Sequence, residues 1–213
     1  MRIAVFGAAG NLGSRVVAEA LSRGHEVTAV VRDPARFHEL DAAAIARAGD
    51  AASVEDVAAL SAGQDLVITA TRPAPGREGE LRPTTEALLA GVARTGVRLL
   101  VVGGAGSLTL PGAGGVAVID GPGFPASWRP IALACKEQLE VVRAAEPGVD
   151  WAYLSPAALL EPGERTGTYR TGADELLVDA EGNSVISMED LAVVLLDEAE
   201  RPKHHRTRFT AAY

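Results

Sequence analysis

The chain has 213 residues and a net charge of −8 at neutral pH, from 28 acidic and 20 basic residues. A hydrophobic content of 47% with 23% charged residues predicts a folded protein and excludes a disordered one. The acidic balance, without a long basic block, argues against nucleic acid as a partner. A single cysteine, Cys135, excludes an internal disulfide and a thiolate metal cluster and fits a reducing cytoplasm. We predict no metal site.

The length predicts a single domain over residues 1–213. Residues 99–119 carry no charge and match the length of a membrane span, but six glycines and Pro111 would leave a spanning helix with unsatisfied backbone groups. The amino terminus enters a strand and a glycine turn without the apolar stretch of a signal peptide. We therefore expect a cytoplasmic protein that does not enter a membrane.

Six apolar runs of strand length alternate with helical patterns through the first two thirds of the chain. Continuously apolar strands are typical of a parallel sheet that is covered on both faces, so the pattern predicts a doubly wound α/β fold. The predicted strands are Arg2–Phe6, Val27–Val31, Ala44–Ala48, Leu66–Ala70, Val97–Val102 and Trp151–Leu154.

The predicted helices have recognisable ends, and the tail follows a different pattern. Residues 130–145 predict a helix with an apolar stripe on its core-facing side. Residues 168–170 and 176–178 predict the two strands of a hairpin around a Thr-Gly-Ala-Asp turn. Capping pairs, a first-turn proline and a terminal glycine mark the other helix ends: Ser53 with Asp56, Pro83, Gly96, and Ser187 with Asp190.

A glycine-rich segment, Gly7-Ala8-Ala9-Gly10-Asn11-Leu12-Gly13, follows the first strand and opens a helix. Open backbone amides and the positive end of a helix dipole favour a pyrophosphate at this point. Gly7 permits the tight turn, Gly10 a close approach to phosphates, and Gly13 close packing of the helix on the strand. A plain tight turn is the alternative, but the strand-turn-helix context favours a dinucleotide.

The end of the second strand distinguishes the two pyridine dinucleotides. Arg32 follows the apolar run directly, Arg36 lies one helical turn later, and a cation there pairs with the 2′-phosphate of NADP. Asp33, if turned inward, would instead serve the unphosphorylated ribose of NAD. We favour NADP(H) over NAD(H).

Several segments together resemble one known family. GAAGNLG, VVRDP, VVGGAGSL, SPAALLEPGERTGTYR and the ending RTRFT are similar to the NADH-flavin reductases of the NAD(P)H-binding family, within the atypical short-chain dehydrogenases near biliverdin reductase B and the NmrA-like proteins. The resemblance covers nearly the whole chain. It implies a Rossmann fold with strand order 3-2-1-4-5-6, a small C-terminal substrate lobe, and NAD(P)H-dependent reduction of an acceptor such as FMN or FAD.

The resemblance also implies roles for individual residues. Asp50 would lie by the adenine, and Ser155-Pro156 would border the nicotinamide. The loops of residues 103–130 and 155–186 would form the substrate side. The full set of cofactor-binding candidates is Gly7, Ala9, Gly10, Asn11, Leu12, Gly13, Arg32, Asp50, Thr71, Arg72, Gly103 and Pro156.

The Tyr-x-x-x-Lys pair that protonates an alkoxide in tyrosine-dependent short-chain dehydrogenases does not occur in this sequence. A flavin or quinone spreads the incoming electrons and takes its proton from solvent, so the sequence favours a conjugated acceptor. Ser107 and Lys136 are the catalytic candidates: the serine to orient the acceptor or to be a turn residue, the lysine to bind ribose hydroxyls or to be a solvated helix residue. Phe124 and Trp128 either cover a flat ring or fill a core edge.

Our leading hypothesis is an NADPH-dependent reductase of a flavin or a similar planar acceptor such as a quinone. Two alternatives stay open at this point. One is a non-enzymatic NADP-binding redox sensor of the NmrA type, and the other is a reductase of a specialised metabolite. The sequence does not distinguish oligomeric states.

Overall fold

The computed structural model describes all 213 residues, and each of the six predicted strands is present with ends within two residues of the prediction. The strands are β1 (Arg2–Phe6), β2 (Glu26–Val31), β3 (Ile45–Ala48), β4 (Leu66–Thr69), β5 (Arg98–Val102), β6 (Trp151–Pro156), β7 (Leu159–Glu161), β8 (Arg170–Gly172), β9 (Val185–Ser187) and β10 (Thr207–Ala212). The helices are α1 (Asn11–Ser22), α2 (Val54–Ser61), α3 (Leu81–Thr95), α4 (Arg129–Arg143) and α5 (Met188–Glu200). None of these helices combines the length and hydropathy that crossing a bilayer requires.

The main sheet has eight strands in the order β3-β2-β1-β4-β5-β6-β10-β8. Its first six strands confirm the Rossmann order 3-2-1-4-5-6, and they are parallel, with Ile3 of β1 opposite Val27 of β2 and Leu66 of β4. Strand β10 adds to β6 in parallel, and β8 closes that edge antiparallel to β10. Strands β7 and β9 form a separate parallel pair. The carboxyl ends of β1 to β6 therefore meet at one edge, where an open α/β sheet binds its ligands.

Alternate residues of each central strand enter two different cores. Leu154 of β6 faces a cluster of 25 buried residues beneath α1 and α5, while its neighbour Tyr153 faces a cluster of 16 beneath α2, α3 and α4. Burial on both faces is why these strands are continuously apolar.

The predicted helix ends are confirmed. The Ser53 hydroxyl accepts from the Asp56 amide at 3.2 Å, and Ser187 accepts from the Asp190 amide at 2.9 Å. Gly96 ends α3 in the left-handed region at φ +70°, which suits glycine. These ends use only neighbouring residues, which is why the sequence predicts them.

The predicted hairpin in the tail is wrong. Residues 170–172 form β8, but β8 pairs with β10, with Arg170 opposite Ala212. The second predicted strand does not form, because Leu176 donates its amide to the Thr109 carbonyl at 2.8 Å. The carboxyl-terminal segment thus supplies a distant partner strand that replaces the local pairing.

Candidate functional site

A cleft of about 740 Å³ opens at the carboxyl edge of the sheet, with a wall that is half hydrophobic. This volume lies in the range of pockets that hold small-molecule ligands, about 300–1,000 Å³. The wall includes residues from the ends of β1 to β6, from α4 and from the loops that follow β5 and β6. Most cofactor candidates from the sequence line this cleft: Gly7, Ala9, Gly10, Asn11, Leu12, Arg32, Asp50, Thr71, Arg72, Gly103 and Pro156.

The glycine segment forms a tight bend between β1 and α1. Gly7 has φ +82°, and a Cβ on it would lie 2.9 Å from the Ala70 carbonyl oxygen, so only glycine fits. The Gly10 amide closes the bend by donating to the Gly7 carbonyl at 2.9 Å. No side chain caps the first turn of α1, so its amides stay open toward the cleft. An anion fits here because these amides and the helix dipole both attract negative charge.

Gly13 does not line the cleft, and its function is packing. A Cβ on Gly13 would lie only 2.0 Å from the Gly7 carbonyl oxygen. The first turn of α1 therefore contacts the glycine bend directly, and this contact fixes where the open amides point.

At the end of β2, three ionisable side chains line the cleft, and two of them have partners within the chain. Asp33 caps the short 3₁₀ turn of residues 34–39 by accepting from the Ala35 amide at 2.9 Å. Arg36 pairs with Glu39 at 2.7 Å and donates to the Ala9 carbonyl at 3.0 Å. Arg32 is exposed and has no hydrogen-bond or ion-pair partner, so its guanidinium is free for a ligand.

The ends of β3 and β4 continue this wall. The Asp50 carboxylate accepts from the Ala52 amide at 2.9 Å and remains partly exposed at the cleft. The Thr71 hydroxyl lies 3.0 Å from the Thr69 hydroxyl, beside the glycine bend. Both side chains are held by local contacts and keep polar atoms that can bind a ligand.

Two glycines after β5 let their own backbone pack directly against the side chains of Tyr153 and Cys135. A Cβ on Gly103 would lie 1.9 Å from the ring of Tyr153, and one on Gly104 would lie 3.1 Å from Cys135. The Tyr153 hydroxyl is buried and donates to the Cys135 carbonyl (3.0 Å) or to Oε1 of Gln138 (3.1 Å). Because burial raises the pKa of Tyr153 well above its usual value, this phenol stays neutral beneath the cleft floor.

The far wall carries two aromatic residues and one face of α4. Trp128 is 48% exposed and, with Phe124, lines the cleft rather than filling a core edge. Sequence reasoning missed Cys135, whose thiol pKa burial raises to about 11 against a small opposing effect of the Arg72 charge. Its signal is helical spacing, because Cys135 lies three or four positions from the other α4 residues on this wall: Ile131, Ala132 and Gln138.

The structure does not bring the two catalytic candidates into the cleft wall. The Ser107 hydroxyl accepts from the buried guanidinium of Arg208 at 3.0 Å, beside the ion pair between Arg208 and Asp174. Lys136 is exposed on α4, about 100° around the helix from its cleft-lining neighbour Cys135. Neither side chain is among the residues that line the cleft.

The ionisable groups on the wall are guanidiniums, carboxylates and one protonated thiol. No tyrosine, histidine or lysine is among the lining residues. The groups present are Arg32, Asp33, Arg36, Asp50, Arg72, Glu80, Cys135 and Glu161.

The segment EPGERTGTYR, which carries much of the sequence resemblance, anchors the tail to the helices. Arg165 forms a two-pronged pair with buried Glu19 of α1, at 2.7 and 2.8 Å. Fully buried Asp190 of α5 accepts from the Thr166 hydroxyl at 2.6 Å and the Gly167 amide at 2.7 Å. These contacts anchor residues 165–167, which follow the cleft-lining residues 157–161 in the chain.

Comparisons with known proteins agree with this architecture. A family model described as NAD(P)H-binding matches residues 7–202. An uncharacterized protein of Bacillus subtilis strain 168, YwnB, is 38% identical over 99% of this chain and 97% of its own.

Two solved structures are similar over the full length. One is a proposed exported protein from Burkholderia pseudomallei, 42% identical, with a TM-score of 0.90 and complete coverage of both chains. The other is a proposed NADH-flavin reductase from Streptococcus pneumoniae TIGR4, 32% identical, with a TM-score of 0.85 and coverage of 100% of this chain and 99% of its own. The glycine bend, the strand order and these matches together identify the chain as a member of the NAD(P)H-binding family of Rossmann-fold oxidoreductases.

Proposed function

We propose that this protein is an NADPH-dependent reductase that passes hydride to a flavin or a similar conjugated acceptor such as a quinone. The observation that carries the proposal is a single cleft with two kinds of wall. Open amides and a free arginine line one end, and aromatic and apolar side chains line the other. We also propose a cytoplasmic site of action, since the free thiol of Cys135 suits reducing conditions.

The preference for NADPH over NADH rests on the end of β2. Arg32 is free of partners, whereas Asp33 is occupied by the Ala35 amide. A guanidinium pairs strongly with a phosphate, and a carboxylate that already caps a turn is a weaker partner for ribose hydroxyls. We assign the pyrophosphate to the amides of the glycine bend, the 2′-phosphate to Arg32 and the adenine to the side of Asp50.

The class of acceptor follows from which proton donors the wall contains. Bound NADPH supplies a hydride, and a simple carbonyl that accepts it also needs a positioned acid. The wall offers no tyrosine, histidine or lysine for that purpose. Conjugated acceptors delocalise the added electrons and exchange protons with water, so positioning alone is sufficient for them.

The positioning itself falls to the loops of residues 103–130 and 155–186, which we propose as the substrate side. Trp128 and Phe124 offer aromatic faces for a flat ring, and Pro156 and Gly103 would border the nicotinamide. Ser107 and Lys136 reach an acceptor only if the chain rearranges, since neither lines the cleft.

The test is to mix purified protein with NADPH and to follow cofactor oxidation with FMN, riboflavin or a quinone supplied in turn. We expect acceleration over the protein-free reaction with at least one flavin, and lower KM for NADPH than for NADH. Tight NADP binding with no turnover of any acceptor would contradict the reductase and favour the redox sensor. A simple aldehyde or ketone serves as the control acceptor, and we expect it to be inert.

A further inference from the structure

Two arginines of this chain differ from all the others. The sequence contains 18 arginines, and all except Arg32 and Arg72 donate a hydrogen bond or form an ion pair within the chain. Both exceptions line the same cleft. A guanidinium free of partners inside a ligand cleft is free to bind an anion. Arg32 has an anion assigned to it above, whereas Arg72, one of the cofactor-binding candidates from the sequence, does not.

Arg72 lies away from the adenosine end. It follows β4, whereas Arg32 follows β2, and β1 with its glycine bend separates these strands in the sheet. Two strand spacings amount to about 10 Å. Arg72 and Cys135 of the α4 wall line the same cleft, and the Arg72 charge opposes the rise that burial causes in the pKa of the Cys135 thiol. Trp128 belongs to that same wall.

The nearby carboxylates form no ion pair with Arg72. Glu78 accepts from the Gly76 amide at 2.9 Å, and it forms no ion pair with Arg72. Glu80, which also lines the cleft, pairs with Arg77 at 2.6 Å. The Gly76 hydrogen bond and, to a smaller extent, the Arg72 charge lower the pKa of Glu78, but no carboxylate of the chain forms an ion pair with Arg72, so its guanidinium keeps its donors for a ligand.

We propose that Arg72 binds an anionic group carried by the hydride acceptor itself. This inference rests on the proposed function, and it narrows the substrate class to planar conjugated molecules that bear a phosphate or carboxylate. The phosphates of NADPH already have donors in the α1 amides and Arg32, so the remaining cation matches a charge on the second ligand. FMN fits this class, while riboflavin and neutral quinones do not.

FMN and riboflavin make a sharp test, because they share one ring system and differ in a single phosphate. The experiment measures Kd for each flavin by calorimetry on protein saturated with NADP⁺, and KM for each in turnover with NADPH. We compare the wild type with Arg72→Ala and Arg72→Gln. Loss of a charge-assisted contact should raise the Kd for FMN by about 10- to 100-fold. The Kd for riboflavin should change by less than about twofold.

Arg82→Ala is the matched control, because Arg82 is exposed on α3, pairs with Glu86 at 3.1 Å and does not line the cleft. It should leave both flavins unchanged. Since Arg72 has no partner to lose, its variants should unfold at the temperature of the wild type.

Three results would overturn the proposal. The first is that the Arg72 variants lose affinity for FMN and riboflavin equally. The second is that they lose affinity for NADPH by the same factor as for FMN. The third is that the wild type binds FMN no more tightly than riboflavin. The binding measurement also separates the two hypotheses. Flavin discrimination without turnover refutes the reductase and supports the role of Arg72, and turnover without discrimination does the reverse.

Discussion

The two ends of the cleft are built from contacts of different range. At the cofactor end, the glycine bend is closed by a hydrogen bond between Gly10 and Gly7, three residues apart. At the acceptor end, Arg208 holds Ser107 from 101 residues away, and Arg165 holds Glu19 from 146 residues away. The glycine bend of the first end is a local structure between one β-strand and one helix. The second takes its shape only when the whole chain has folded.

Gly13→Ala should have the largest effect of the changes considered, and it tests the cofactor end. The added Cβ would lie 2.0 Å from the Gly7 carbonyl oxygen, so the bend or the helix must shift. We expect the Kd for NADPH to rise more than about 100-fold, because overpacking at a rigid contact costs about 3 kcal/mol. Calorimetric titration measures it, with circular dichroism to verify folding.

Gly148→Ala is the control for this change, since a Cβ there has no heavy atom within 4 Å. NADPH affinity equal to that of the wild type in Gly13→Ala would show that the bend is not the phosphate site.

Asp190→Asn tests the acceptor end in the same way. The buried Asp190 carboxylate accepts hydrogen bonds from Thr166, Gly167 and the Tyr213 hydroxyl (2.8 Å). The NH2 group of an asparagine cannot accept, so at least one of these donors would lose its partner. We expect a loss of about 3 kcal/mol in the free energy of unfolding. KM for the acceptor should rise while the Kd for NADPH stays the same, because the glycine bend does not depend on these contacts.

Urea unfolding and steady-state kinetics measure these effects, and Glu137→Gln, on the exposed face of α4, is the control. A change in NADPH affinity as large as the change in acceptor KM would mean that the two ends are not independent.

Arg32→Ala has a smaller and more selective expected effect. Removing the free guanidinium should raise the Kd for NADPH about 30-fold, which is the effect of losing one charge-assisted contact. The Kd for NADH should rise by less than about twofold. Fluorescence titration with both cofactors measures this ratio. Arg47→Ala is a matched control, because Arg47 is exposed on β3 and donates only to the neighbouring Ala46 carbonyl. Equal weakening of NADPH and NADH would remove the assignment of Arg32 to the 2′-phosphate.

The same contrast explains what the sequence could predict. The six parallel strands, the Ser53 and Ser187 caps and the glycine bend depend on neighbouring residues and on burial periodicity, so the pattern identifies them. The order of the first six strands was implied by family resemblance and is confirmed. The cofactor candidates line the cleft, apart from Gly13, because they follow strand ends that share one edge.

The acceptor end was harder because its contacts join distant segments. Nothing near Ser107 in the sequence signals that Arg208 will bind its hydroxyl. Likewise, the predicted hairpin failed because β10, more than 30 residues away, pairs with β8 instead. The motif containing Arg165 identifies the family but serves to anchor the tail, which spacing alone does not indicate.

Glu189 contacts both α1, which follows the glycine bend, and the tail segment near the acceptor end, and the stability that these contacts contribute should depend on pH. Glu189 of α5 accepts from Arg15 of α1 and from the Gly163 amide at 2.7 Å. Burial works against the charged form, but these hydrogen bonds hold the pKa of Glu189 below its usual value. A lowered pKa means that the contact stabilises the fold above about pH 4.5, the value in the unfolded chain, and is lost as pH falls through the folded value.

Glu189→Gln removes the charge and should therefore lower the free energy of unfolding by about 1 kcal/mol at neutral pH. Below about pH 4.5 the difference from the wild type should shrink and should vanish once the pH falls below the lowered pKa of the folded wild-type carboxylate, which is then neutral like the glutamine amide. Urea unfolding at a series of pH values measures it, with Glu137→Gln again as the control. If the difference in free energy of unfolding between the wild type and Glu189→Gln stays constant as the pH falls, the charge of Glu189 does not contribute to stability. The two ends of the cleft would then lack a titratable contact at this position.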